Sequence, residues 1–126
     1  MNEQLSILVI DDDWATLQFF EKYLVGQGHK VCTLEDPLRA QAELREDRYD
    51  LVFLDLAMPG LSGLELLKQL RGAGNDVPVI ITTGDSSIEA VTEAVECGIS
   101  GYLIKPFSVH ELAGAIERTT AGSGPV

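Results

Sequence analysis

Two hydrophobic periods alternate along the chain. Ser6-Ile-Leu-Val-Ile10, Leu51-Val-Phe-Leu54, Val77-Pro-Val-Ile-Ile-Thr-Thr83 and Gly101-Tyr-Leu-Ile104 are short apolar runs with little polar interruption, rich in Val and Ile. Such runs read as strands buried on both faces. Lys30-Val-Cys-Thr-Leu34 is more polar, as suits the edge of a sheet. Between the runs, apolar residues recur every three or four positions, the helical period. Leu17, Phe20, Tyr23 and Leu24 mark a first helix from Trp14, closed by Gly26 and Gly28. Asp36 then caps a second, with Pro37 at its first position and Leu38, Ala42 and Leu44 continuing to about Asp47. A third starts near Ser62, carries Leu64, Leu67 and Leu70, and stops at Gly72-Ala-Gly74. Ser86 or Ser87 caps a fourth, with Ile88, Val91, Ala94 and Val95 before Gly98. Val109, Leu112, Ala113 and Ile116 form the last, and the end of the chain reads as a frayed tail or the start of a linker from residue 122. Residues 1–121 are expected to form one domain.

Five strands alternating with five helices predict an α/β fold, a doubly wound five-stranded parallel sheet with right-handed crossovers. In such a sheet ligands sit just beyond the carboxyl ends of the strands. Four strands finish there on a chemically active side chain. The first ends at Asp11 and Asp12, the third at Asp55, the fourth at Thr83 and the fifth at Lys105. After Asp55, Met58-Pro59-Gly60 stops the strand and blocks a helix.

Charge and composition narrow the chemistry. A net charge of −11 over 126 residues argues against a surface that grips nucleic acid by its phosphates. No apolar run is long enough to span a bilayer, and acidic Glu3 stands where a signal peptide would be basic, so a cytoplasmic location is expected. Cys32 and Cys97 are far apart and outside any ligand-spaced motif, which predicts two buried, reduced thiols. Asp11, Asp12 and Asp55 crowd three carboxylates together, and hard oxygen donors without a thiol or imidazole suit Mg²⁺. With a cation bound, a carboxylate can attack a phosphoryl group while Lys105 neutralises its oxygens and the Thr83 hydroxyl donates to a third.

The pieces Ile-Asp11-Asp12-Asp13, Leu-Asp55-Leu-Ala-Met-Pro-Gly, Thr82-Thr83-Gly84 and Tyr102-Leu-Ile-Lys105-Pro106-Phe107 stand in an order that resembles the receiver domains of two-component response regulators, over residues 5–118. The resemblance implies a flavodoxin-like strand order 2-1-3-4-5 and a switch phosphorylated on Asp55 by a histidine kinase or phosphotransfer protein. It further implies Mg²⁺ held by Asp12 directly, by Asp11 largely through water, by Asp55, and by the backbone carbonyl of Ala57. Lys105 would contact the phosphoryl group, and the Lys105–Pro106 peptide would be cis. Thr83 and Tyr102 would form the switch pair that changes the face made by the fourth helix, fifth strand and fifth helix. Catalysis would be confined to the domain's own phosphoryl transfer and autodephosphorylation, and the downstream effector is unspecified.

Some residues depart from the pattern or stand outside it. The family's usual Ala after the threonine is Gly84, which would widen access to Asp55 or loosen the loop. Asp13 reads as a helix-start carboxylate rather than a ligand. Trp14 is expected to be an ordinary half-buried aromatic, and His29 and His110 surface histidines. Gly98-Ile-Ser-Gly-Tyr102 lacks paired acids and the fourth helix lacks a basic residue, which argues against a charge-linked dimer through that face. Two other functions share the fold. A Mg²⁺-dependent phosphatase with an aspartyl intermediate would need a carboxylate two residues past the nucleophile, where Ala57 stands. A flavin or nucleotide carrier would need a phosphate-binding loop after the first strand, where Asp11-Asp12-Asp13 stands.

Overall fold

The computed structural model describes residues 4–45, 48–58, 62–84 and 88–122. Asp47, Pro59, Gly60, Ser86, Ser87 and residues 123–126 lie outside the described residues, and so do the expectations that rest on them. The elements are β1 (Ser6–Ile10), α1 (Trp14–Gly26), β2 (Lys30–Leu34), α2 (Pro37–Leu44), β3 (Leu51–Asp55), α3 (Gly63–Gly72), β4 (Val79–Thr83), α4 (Ile88–Cys97), β5 (Gly101–Ile104) and α5 (Val109–Gly122). All strands pair in parallel in the order β2-β1-β3-β4-β5, the flavodoxin-like order. The chain steps outward from β1 to β2, then crosses back to β3, so β1 and β3 are neighbours at the point where the winding reverses.

Alternation along each strand divides the core in two. Leu8, Ile10, Val52, Leu54, Val79 and Ile81 face one side, where Ala40 and Leu44 of α2, Leu66, Leu67 and Leu70 of α3, and Ala94 of α4 cover them. Ile7, Val9, Leu51, Phe53, Ile80 and Leu103 face the other, under Leu17, Phe20 and Leu24 of α1 and Leu112 and Ala115 of α5. The near-continuous apolar runs of β1, β3 and β4 follow from this, because a strand covered on both faces has no solvent side. Phe20 against Phe53, with ring centroids 4.8 Å apart, joins α1 to β3. β2 occupies the edge and stays half-exposed.

The cap expected at Asp36 is present, and Ser62, near the expected start of the third helix, caps that helix. Asp36 accepts the Leu38 N–H at 3.0 Å, and Ser62 accepts the Glu65 N–H at 3.1 Å. Gly28, Gly74 and Gly98 adopt positive φ after α1, α3 and α4, the left-handed turn that ends a helix most cheaply with glycine.

Several boundaries and placements differ from the sequence reading. β4 begins at Val79, not Val77, since Pro78 has no N–H to offer a ladder; its carbonyl still accepts the Val52 N–H at 2.9 Å. α2 reaches only Leu44, capped by Arg45. α5 runs to Gly122, beyond the last apolar residue of its stripe, so part of the expected tail is helical. His29 is half-buried, and its Nδ1 accepts the Leu5 N–H at 3.0 Å, which ties the approach to β1 onto the end of α1. Cys32 and Cys97 are free thiols, but half-buried rather than fully enclosed. Among the described residues, no helix is long and apolar enough to cross a membrane.

Candidate functional site

Strand ends create the site. Asp11 follows the last residue of β1, and its N–H donates to the Leu34 carbonyl at 3.1 Å, which extends the ladder by one residue and holds the side chain in the fold. Asp55 is the last residue of β3, paired with Thr82 of β4. Both carboxylates are nearly removed from solvent, Asp11 wholly and Asp55 to 4% exposure. Asp12 is exposed. Carboxylate oxygens of Asp11, Asp12 and Asp55 all lie within 4.8 Å of one another.

Lys105 closes the cluster from the far edge. Its N–H donates to the Thr83 carbonyl at 2.8 Å, prolonging the β4–β5 pairing past Ile104. That contact aims the side chain back over β3. The Nζ donates to Asp11 Oδ2 at 2.8 Å and to Asp55 Oδ2 at 3.2 Å. Backbone amides take the other oxygens: Asp11 Oδ1 accepts the Asp13 N–H at 2.9 Å, and Asp55 Oδ1 accepts the Ala57 N–H at 3.0 Å. Each contact is a short turn in which an aspartate binds the amide two residues on. The Lys105–Pro106 peptide is cis.

Three carboxylates against one ammonium leave the cluster anionic, and that shapes its protonation. Burial raises the Asp55 pKa above the ordinary carboxylate value, and the charge of Asp11 raises it further against the opposing pull of the Ala57 N–H and Lys105. For Lys105, burial acts to lower the pKa, but the bonds and charges of Asp11 and Asp55 outweigh it and hold the ammonium charged. The donor set fits a hard divalent cation: carboxylate oxygens only, one of them on exposed Asp12.

Of the remaining sequence candidates, Thr83 is buried at the end of β4, next to the cluster along the sheet edge. Tyr102 is 51% exposed on β5, opposite Ile81 in register. Ala57 sits on the loop immediately after Asp55, exposed. An added Cβ at Gly84 would meet open space, so the position has room for the family's usual alanine. Asp13 precedes α1 and accepts the Thr16 hydroxyl at 2.6 Å, which lowers its pKa. Trp14 is 63% exposed rather than half-buried, because the apolar stripe of α1 starts at Leu17 and Trp14 falls outside it.

Gly63 is a positioning residue that the spacing of motifs did not reveal. A Cβ there would lie 2.0 Å from the Asp55 carbonyl oxygen and 2.8 Å from Leu56 Cα, and its N–H donates to the Leu56 carbonyl at 3.1 Å. The start of α3 therefore rests directly on the backbone that carries Asp55. The only sequence signal is a glycine just after the Ser62 cap, a place where glycine has no conformational purpose. A cavity of about 850 Å³ lies at the opposite edge of the sheet, lined by Leu44, Tyr49, Leu70, Asn75 and Val77, and takes no part in this cluster.

The family model of the response regulator receiver domain matches residues 7–117. The chain belongs to this family. The receiver domain is 38% identical over 106 residues to the response regulator MprA of Mycobacterium tuberculosis, covering 84% of this chain and 46% of MprA. It is 34% identical over 128 residues to the transcriptional regulatory protein ZraR of Klebsiella oxytoca, covering 98% of this chain and 29% of ZraR. The chain thus spans about half or less of these curated relatives. Among solved structures, the receiver domain of Francisella response regulator 1452 matches at a TM-score of 0.85 and 31% identity, over 95% of this chain and 100% of that one. The Vibrio cholerae chemotaxis protein CheY4 matches at 0.85 and 28%, over 93% and 99%. The molecule is a receiver domain of two-component response regulators, a signalling domain rather than a conventional enzyme.

Two outcomes follow from the geometry. Because the folded chain raises the Asp55 pKa, it holds a proton where the unfolded chain has released it. The contribution of Asp55 to stability is then fully present below the unfolded value near 3.8 and is lost as pH rises through the folded value. At neutral pH the ionised carboxylate is a cost, so metal-free Asp55→Asn is expected to melt several degrees above wild type in scanning calorimetry; a lower midpoint would contradict this. Gly63→Ala must push α3 off the Asp55 backbone. It is expected to destabilise by about 1–3 kcal/mol in urea unfolding, and an unchanged midpoint would mean the approach is loose.

Proposed function

We propose that the receiver domain is a phosphorylation-activated switch in which Asp55 accepts a phosphoryl group from a histidine kinase or histidine phosphotransfer protein. The observation that best supports this is the single Lys105 ammonium bonded to both buried carboxylates, Asp11 and Asp55. An ammonium so placed is ready to meet a phosphoryl oxygen once one arrives beside Asp55. A carboxylate oxygen of Asp55 forms the new P–O bond as the P–N bond of the donor phosphohistidine breaks, and the electron pair leaves with the imidazole. Ala57 N–H, donating to Oδ1, fixes the rotation of the carboxylate and leaves it pointed at the incoming phosphorus.

Asp12 and Asp55 would hold Mg²⁺ directly, Asp11 largely through water, and the Ala57 backbone carbonyl would complete the protein's ligands. When bound, Mg²⁺ supplies the positive charge that offsets the phosphoryl oxygens and the crowded carboxylates. Lys105 answers from the other side. Thr83, buried at the end of β4, donates its hydroxyl to a phosphoryl oxygen, and Tyr102, exposed on β5, turns inward toward the space this vacates. The α4–β5–α5 face changes as a result. Such a switch is a shift between two populations, biased by how differently they hold the phosphate.

In this reading residues 1–121 form the working domain, catalysis is limited to its own phosphoryl transfer and autodephosphorylation, and the setting is cytoplasmic. The output passes to a downstream effector, and the net charge of −11 leaves any nucleic-acid contact to other domains or partners.

The test is incubation with acetyl phosphate and Mg²⁺ followed by intact-mass measurement, with Asp55→Asn and chelator as controls. One added phosphoryl group, lost in both controls, is expected. A wild type that stays unmodified and also fails to take up beryllofluoride would sink the proposal.

A further inference from the structure

The sheet edge opposite the carboxylates holds a second convergence. Arg71, in the last turn of α3, donates from Nε and Nη2 to the Gly98 carbonyl at 3.1 and 2.8 Å, and from Nη1 to the Asn75 carbonyl at 2.9 Å. Asn75 in turn donates from Nδ2 to the carbonyl of Leu44, the last residue of α2, at 3.0 Å, while its Oδ1 accepts the Val77 N–H at 3.0 Å. Carbonyls at helix ends lack partners within the helix. Leu44 carries such a carbonyl, while Asn75 and Gly98 lie just past the ends of α3 and α4; one guanidinium and one carboxamide bond all three, binding the segments that close α2, α3 and α4 together. Just beyond Gly98, the Ser100 N–H donates to the Val79 carbonyl at 2.8 Å and fastens the same point to the start of β4.

A second α3–α4 link, Lys68 Nζ to Glu93 Oε2 at 3.2 Å, joins two half-exposed side chains and contributes little. Arg71 differs in kind. Its guanidinium is partly withdrawn from water, enough for burial to lower its pKa, and it grips one carbonyl with two donors of a planar fork that lysine cannot reproduce.

The two ends of α4 thus meet different parts of the molecule. Its amino-terminal end is the one that follows β4 in the chain, and β4 ends with Thr83 at the edge where Asp55 and Lys105 sit. Its last turn runs into Gly98, at φ 95° and held by Arg71. We propose that Arg71 is the pivot of the switch, a positioning residue that fixes the carboxyl-terminal end of α4 so that a change entering at Thr83 swings the helix about that end. This rests on the phosphorylation reading and adds to it a hinge and a direction: movement is greatest at residues 88–92 and least at 96–100. Without the pivot the same input displaces the whole helix, so Arg71 sets which part of the output face responds.

Amide hydrogen exchange on the full chain tests this, with wild type, Arg71→Met and Lys68→Met each compared metal-free and with Mg²⁺ and beryllofluoride. In the metal-free proteins, Arg71→Met is expected to speed exchange at residues 96–100 by about tenfold, and Lys68→Met to leave it near the wild-type rate. Of the two ends of α4, activation should alter only residues 88–92 in wild type, and both 88–92 and 96–100 in Arg71→Met. Should Arg71→Met not fold, Arg71→Lys keeps the charge but loses the fork, and an intermediate acceleration at 96–100 is expected. Wild-type rates at 96–100 in the Arg71 variants, or activation that alters 96–100 in wild type as strongly as 88–92, would overturn the pivot. Intact mass after acetyl phosphate separates the two readings. A wild type without a phosphoryl group defeats the switch and the pivot with it, whereas a phosphorylated wild type with either overturning exchange pattern defeats the pivot alone.

Discussion

Two carboxylates at the ends of neighbouring central strands are taken out of water, and one lysine ammonium holds both. Most of the architecture serves that constraint. Asp11 and Asp55 meet because β1 and β3 are adjacent where the winding of the sheet reverses. Lys105 reaches them from β5, two strands away from β3, because its own backbone is fastened to Thr83 at the end of β4. Burying like charges is unfavourable unless they are paired and hydrogen-bonded. Lys105 and the amides of Asp13 and Ala57 meet both conditions, but they offset the cost at Asp55 only in part, and its pKa stays raised. The charge balance is still negative, which leaves the cluster disposed toward cations.

The two edges of the sheet then have opposite characters. At the carboxyl edge, polar side chains converge on short loops, and their bonds run between groups whose charges are not balanced. At the amino edge, Arg71 and Asn75 satisfy backbone carbonyls at the end of α2 and just past α3 and α4, and Ser100 and Val52 extend the strand pairing into the turns. The first edge is built to respond to a ligand and the second to stay fixed. A helix such as α4, spanning from one edge to the other, takes its freedom from the first and its restraint from the second.

The strands and most of the site were legible in sequence for one reason. Buried parallel strands need uninterrupted apolar runs, and each run ended on a chemically distinct residue, so Asp11, Asp12, Asp55, Thr83 and Lys105 stood out. The same logic misplaced what periodicity does not encode. Pro78 looked like part of a strand that its missing N–H excludes it from. Trp14 counted as half-buried although it lies off the stripe that begins at Leu17, and His29 counted as a surface histidine although it is half-buried and accepts the Leu5 amide across 24 residues. Gly63 and Arg71 were silent for a deeper reason. Their parts depend on backbone atoms of other elements, the Asp55 carbonyl and the Gly98 carbonyl, and a contact to backbone leaves no mark on the partner's residue type.

In the proposed switch the buried Asp11–Asp55–Lys105 cluster, with Asp12 at its rim, is a cation site and not merely a set of capped strand ends. A Mg²⁺ titration followed by amide chemical shifts tests it most directly. A single saturable event is expected, with perturbations centred on residues 11–13 and 55–57 and abolished in Asp12→Asn. Weak, unsaturable shifts spread over the acidic surface, unchanged by that substitution, would contradict it.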